Sequence, residues 1–339
     1  MHLSVPFMVM PSIVWPIRAA SGHSEIADGF VFLVHVMVME SFFVMNGFFA
    51  MVLLSKKSHK TFIVNRLRRV GVPFLLGIIF LVPFIMSLGF SWQQQKTIIE
   101  VFPQVIASFQ HFTFSFAHLW SLWYLMIIYG VFLILLKIKV LKTNELLQKM
   151  TWQKILLLVI TIASISLILF PRKYTLLPLQ TLGDWQMLLY FFAFFMLGVW
   201  CFWHKEKLDI DIPLRKVWFL FFAALILNIL FQKTENPTFV LKIIGSLAYV
   251  LQAVCSLILF WQAMKKWSWQ PKFLSIYSQS MYWIYWIEVP IALTVHYFFV
   301  DSIPALLLIG VTTFFTFIIG YFSYQKIMFD KKLGKILGF

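Results

Sequence analysis

The stretch GFVFLVHVMVMESFFVMNGFFAMVLL (Gly29–Leu54) holds one formal charge, Glu40, in 26 residues. About 20 predominantly apolar residues carry an α-helix across the hydrocarbon core of a bilayer, so this run reads as a spanning helix rather than a core helix of a soluble domain. Windows of the same length place further spans near residues 70–90, 117–136, 154–171, 185–203, 217–231, 239–264, 273–299 and 303–325. The composition agrees: 61% of the 339 residues are hydrophobic and only 12% are charged, against about 25% charged in a typical soluble domain. The implied fold class is an all-α polytopic membrane helix bundle, with residues 1–339 as one membrane-embedded domain. The solvent for most of the chain is lipid.

A net charge of +15 would suit nucleic acid if the cations clustered on one polar face, but here they sit between apolar runs, so no nucleic-acid partner is expected. The connections around 55–69, 137–154, 205–216, 265–272 and 326–335 carry most of the Lys and Arg. The intervening ones hold only Arg18, Lys96, Arg172, Lys173 and Lys233. By the positive-inside rule the basic loops and the C-terminus face the cytoplasm, which predicts a multi-pass protein of the cytoplasmic membrane in contact with its lipids. Cys201 and Cys255 lie in apolar segments, which indicates neither a disulfide framework nor a metal site.

Residues 3–17 are too few to cross, and if 18–28 are external they read as the later part of a first helix. The expectation is then nine full helices plus a truncated first one, with His2 near mid-membrane.

Ionisable side chains inside spans are expensive and therefore functional candidates. His35 and Asn46 are eleven residues apart, which puts them on one helix face, and Glu40 shares another stripe with Gly47. A packing face with one polar tie is the competing reading for both stripes. Glu288 lies deep in the 273–299 span. His118 opens HLWSLWYLMIIY, where Trp120, Trp123 and Tyr124 would also suit an interfacial aromatic belt. Asn65, Arg66, Arg68 and Arg69 form either a positive-inside anchor or a phosphate-binding group.

SFFVMNGFFAMVLL (Ser41–Leu54), TFIVNRLRRVGVPFLLG (Thr61–Gly77), HLWSLWYLMIIY (His118–Tyr129) and YWIYWIEVPI (Tyr282–Ile291) together resemble motifs of the acyltransferase-3 family. Within it they are similar to the branch that includes glucan biosynthesis protein C, whose second helix is followed by an Arg-rich loop ending in Pro-Phe. The chain departs from that branch in carrying Asn46 for Ser and Glu288 for His, and in lacking an Arg eleven residues before the first-helix His, which His2 matches. The resemblance implies transfer of an acyl group, acetyl or succinyl, from cytosolic acyl-CoA to a carbohydrate hydroxyl. Acyl-CoA would be a co-substrate, with no bound cofactor and no metal. His2 would be the general base, with His118 and Glu288 also in the catalytic set on the acceptor side. Glu40, Asn46, His35, Trp120, Trp123 and Tyr285 would bind substrate, and Asn65, Arg66, Arg68 and Arg69 would contact CoA phosphates. A multi-span exporter and an inactive truncated remnant are the alternatives.

Overall fold

The structure, a computed structural model, describes residues 2–8, 15–111, 116–138, 148–169, 184–205, 212–234, 237–266 and 272–328. Helix α1 (Glu25–Lys56) starts where Ser24 accepts a hydrogen bond from the Ile26 amide and where Glu25 and Asp28 complement the helix dipole. Its core stripe is Val36, Glu40, Phe43, Gly47 and Ala50, spaced four, three, four and three residues apart and buried throughout.

Helix α2 runs unbroken over His59–Gln94. The sequence suggested an arginine-rich loop before this span. The structure instead places Asn65, Arg66, Arg68 and Arg69 on helix. Two stretches of α2, Leu67–Gly71 and Gly77–Leu81, are wound as wider π turns, and each immediately precedes a Val-Pro pair, Val72-Pro73 and Val82-Pro83. A proline ring clashes with the carbonyl four residues back and has no N–H to donate. Widening the turn, so that the Val72 amide bonds Leu67 and the Val82 amide bonds Gly77, carries the helix past each proline.

Helix α3 (Ile98–Gln110) lies between α2 and the next span. It opens with a capping box in which Thr97 and Glu100 satisfy each other's backbone amides, and it buries Val101 and Val105 while Ile99, Phe102 and Ile106 stay exposed. The rest of the bundle is α4 (Trp120–Lys137), α5 (Trp152–Leu169), α6 (Trp185–Trp203), α7 (Leu214–Lys233), α8 (Phe239–Lys266), α9 (Lys272–Phe299) and α10 (Ala305–Met328). Among the described residues, eight helices are long and apolar enough to cross a membrane. Helix α9 is also 28 residues long, although its side chains over 272–279 lie outside the described residues. The chain is therefore a multi-pass helical membrane protein. Consecutive spans alternate in direction, so the cations gather at one end, called here the basic end, and α3 lies at the far end.

The start of the chain departs from expectation. His2–Phe7 form a six-residue 3-10 helix and residues 15–23 are irregular. Prolines at 6, 11 and 16 recur every five residues, and each removes a backbone donor. Val5, Phe7, Met8, Trp15 and Ile17 bury themselves against Val31, Leu88, Leu293, Val300 and Leu308. The Ala19 and Ser24 amides donate to Pro6 and Phe7 carbonyls, and Asp301 accepts from the Ala20 amide at 2.7 Å. The segment is tied to the start of α1 and to the α9–α10 turn.

Candidate active site

The site begins at a strained residue. Ala117 has φ +48°, a left-handed conformation that a residue with a Cβ seldom adopts, and it turns the chain into α4 so that His118 points inward. His118 is buried, its ring edge-on to Tyr285 at 5.4 Å. Its Nε2 lies 3.1 Å from the Trp286 carbonyl. A carbonyl only accepts, so Nε2 carries the proton and the basic lone pair of the neutral ring is on Nδ1. The Tyr285 hydroxyl donates to the His118 carbonyl and lies 2.7 Å from Ser121 Oγ. Trp286 Nε1 donates to the Pro73 carbonyl at 3.1 Å, which ties α9 to α2. Gly77 makes this junction possible: a Cβ there would come within 2.3 Å of Leu119 and 3.1 Å of the Trp286 indole nitrogen.

From this point polar side chains continue along α9 in both directions. Glu288, half-buried and one turn along α9, interacts electrostatically with Tyr285. Tyr282, one turn the other way, lies close enough to both Tyr285 and Tyr129 to do the same. The Tyr129 hydroxyl donates to Asn46 Oδ1 at 2.9 Å, and Asn46 Nδ2 donates to the Phe42 carbonyl at 2.8 Å. The Arg66 guanidinium sits 5.1 Å from the Tyr129 ring centroid and 5.3 Å from that of Phe62, and Nη2 donates to the Phe49 carbonyl at 3.3 Å. Arg68 and Arg69 are exposed beside it and Asn65 is half-buried. The result is a file of polar groups through α1, α2, α4 and α9, from Arg66 at the basic end to His118 and Glu288 in the opposite half.

Of the residues singled out from sequence, the file contains His118, Tyr285, Glu288, Asn46 and Arg66. Trp123 stacks on Phe74 beside it at 5.7 Å. Trp120 is buried against Phe191 at 5.4 Å, and Phe191 stacks on Phe43 at 4.4 Å. These three rings form a wall, and Glu40 lies beyond it, accepting from Tyr190 at 2.6 Å on α6. His35 is buried one face away from Glu40, on the Asn46 side of α1. The side chain of His2 lies outside the described residues. Ser121, Tyr129 and Tyr282 were not singled out, although Tyr129 stands eleven residues after His118 and therefore on its face. Among the described residues no group of three or more His, Cys, Asp or Glu could hold a metal ion.

A model of the acyltransferase-3 family, described as an acyltransferase domain, matches residues 4–325. The chain belongs to the acyltransferase-3 family. No curated protein and no solved structure matches it. As a family member it is a membrane acyltransferase that moves groups other than aminoacyl groups. The match covers every element of this acyltransferase that contributes to the file, and it begins two residues after His2.

Proposed function

We propose that this acyltransferase takes an acetyl or succinyl group from acyl-CoA at its basic end and delivers it to a carbohydrate hydroxyl presented at the far end. The observation that carries the reading is the file of polar groups within an acyltransferase domain, a hydrogen-bonded cluster at Tyr129 and Asn46 beside Arg66 and another at Ser121, Tyr285 and His118 beside Glu288, with Tyr282 between them. Polar groups within lipid are costly even when paired, and a chain keeps them where a polar substrate must be met inside the membrane. With the basic end in the cytoplasm of a cell membrane, Asn65, Arg66, Arg68 and Arg69 meet the phosphates of CoA, for which guanidinium groups offer paired donors. The aromatic faces of Phe62 and Tyr129 hold Arg66 in place.

The chemistry requires a base near neutral pH. An imidazole removes the proton from the acceptor hydroxyl, the oxygen attacks the thioester carbonyl, the C–S bond breaks, and the thiolate leaves to recover a proton. The family likeness gives the base role to His2. His118, with its Nδ1 lone pair, and Glu288 complete the acceptor side, while Asn46, His35, Trp120, Trp123, Tyr285 and Glu40 are assigned to substrate binding.

The test is label transfer. Membranes containing the protein, given labelled acetyl-CoA or succinyl-CoA and a glycan fraction, should label the glycan, and His2→Ala should abolish this while expression persists. Unchanged transfer in that variant removes His2 from the mechanism. Glycan uptake into proteoliposomes without acylation replaces the reading with that of an exporter.

A further inference from the structure

A second set of buried polar side chains lies beyond the Phe43, Phe191 and Trp120 wall. Glu40 on α1 accepts from the Tyr190 hydroxyl on α6 at 2.6 Å through Oε1. The ring of Tyr249 on α8 is 6.3 Å from that of Tyr190, and its hydroxyl interacts electrostatically with Glu40. One helical turn along α8, Gln252 Oε1 accepts from Asn228 Nδ2 on α7 at 3.1 Å, and Asn228 Oδ1 accepts from Gln232 Nε2 at 3.3 Å. All six side chains are buried. Gln232 stands in the last turn of α7, at the far end of the bundle, and Glu40 stands halfway along α1.

These hydrogen bonds leave four buried atoms without a partner among the described residues: Glu40 Oε2, the Tyr249 hydroxyl, Gln252 Nε2 and Gln232 Oε1. In a bilayer such atoms have no bulk water to fall back on, and each is costly while unpaired. The set mixes an acceptor carboxyl oxygen, a hydroxyl that does both, and an amide N–H. A cation would find only one carboxylate and would face the Gln252 donor. An anion would face Glu40. A hydroxyl satisfies all three, accepting from Gln252 and Tyr249 while donating to Glu40.

We propose that Glu40, Tyr249 and Gln252 bind one neutral hydroxyl, of water or of a polyhydroxy compound, which enters from the far end along Gln232 and Asn228. The opposite direction is shut. Toward the basic end from Glu40, Gly47 and Gly198 bring the backbones of α1 and α6 into contact, so a Cβ on Gly47 would lie 2.0 Å from the Phe195 carbonyl oxygen. Glu40 is common to this site and to the substrate-binding set proposed above, whereas Tyr249 and Gln252 belong to this site alone, so variants at Tyr249 test it separately from acyl transfer.

The full chain in lipid nanodiscs provides the test. Radiolytic hydroxyl-radical labelling modifies side chains that touch bound water, and Tyr124 is the internal reference. It is as buried as Tyr249, and its hydroxyl donates to the Asp184 carbonyl at 3.2 Å. We expect Tyr249 to be modified several-fold faster than Tyr124, and Tyr249→Phe, which deletes a hydroxyl with a partner, to lower Tm by about 1–3 °C. Equal labelling of the two tyrosines, or a Tm that is unchanged or raised in Tyr249→Phe, overturns the proposal, because deleting an unpartnered hydroxyl is neutral or stabilising. A saturable rise in Tm with glucose, lost in Tyr249→Phe, assigns the hydroxyl to a polyol. Fast labelling without that rise assigns it to water.

Discussion

Gly198→Ala should be among the most damaging single-methyl changes in the protein. A Cβ on Gly198 would stand 1.9 Å from the Val44 carbonyl oxygen, 2.8 Å from its carbon and 2.9 Å from the Phe48 amide nitrogen. The first of these falls 1.1 Å short of the 3.0 Å that real Cβ atoms keep, and all three atoms belong to backbone, which cannot rotate away. Helices α1 and α6 must therefore part by about 1 Å. That displacement takes the Tyr190–Glu40 bond from 2.6 Å past hydrogen-bonding range and loosens the Phe43–Phe191 stack. Overpacking a tight contact costs about 1–3 kcal/mol, and breaking a buried hydrogen bond to a carboxyl adds about 1–2 kcal/mol. The expected result is a fall in Tm of about 4–8 °C, read by intrinsic tryptophan fluorescence in nanodiscs. Gly130→Ala is the control, since a Cβ there meets nothing within 4 Å. If the two variants melt together, α1 and α6 do not cross at backbone contact.

Asn46→Ala should leave the Tyr129 hydroxyl without its acceptor and destabilise the protein by about 1–3 kcal/mol, whereas Asn46→Ser should recover part of the loss; thermal melts of both variants decide. Ala117→Gly relieves the positive φ ahead of His118 and should raise stability or leave it unchanged, by up to about 1 kcal/mol, so a clear loss would show that the turn is not left-handed. The Thr97 backbone and hydroxyl hydrogen bonds hold the exposed Glu100 carboxyl below its usual pKa. Its contribution to α3 is thus fully present above the unfolded carboxyl value and is lost as pH falls through the lower folded value. Protection against hydrogen exchange at the first turn of α3, taken relative to the intrinsic rate at each pH, should fall over that acid range in the parent and stay constant in Glu100→Gln.

Spanning helices were legible because lipid leaves a chain little choice: every apolar run near 20 residues became a helix. The N-terminal segment was misread because hydropathy registers its apolar residues but not whether a 3-10 turn and irregular backbone, rather than an α-helix, bring them against the bundle. Side-chain partnerships were legible only where one helix carries both members. His118 and Tyr129 share a face of α4, and Tyr282, Tyr285 and Glu288 follow one another along α9, so half of the polar file is written in spacing. The other half depends on which helices meet, and periodicity is silent on that. Glu40 illustrates the limit, since its stripe with Gly47 identified a packing face but not Tyr190 as the partner.

The two wide turns of α2 also set an angular phase. Each accommodates about one residue more than an ordinary turn, so the helix beyond it is rotated by roughly 100° relative to an uninterrupted one. Val82, Ile85, Leu88 and Ser91 face the interior only after both offsets have been added. Deleting one residue between Gly77 and Leu81 would remove the extra residue that carries the helix past Pro83, leave the segment equally apolar, and swing Ile85 and Leu88 out toward the acyl chains. Hydropathy would register no change, and the protein would have lost the seat of Val5, Phe7, Met8, Trp15 and Ile17.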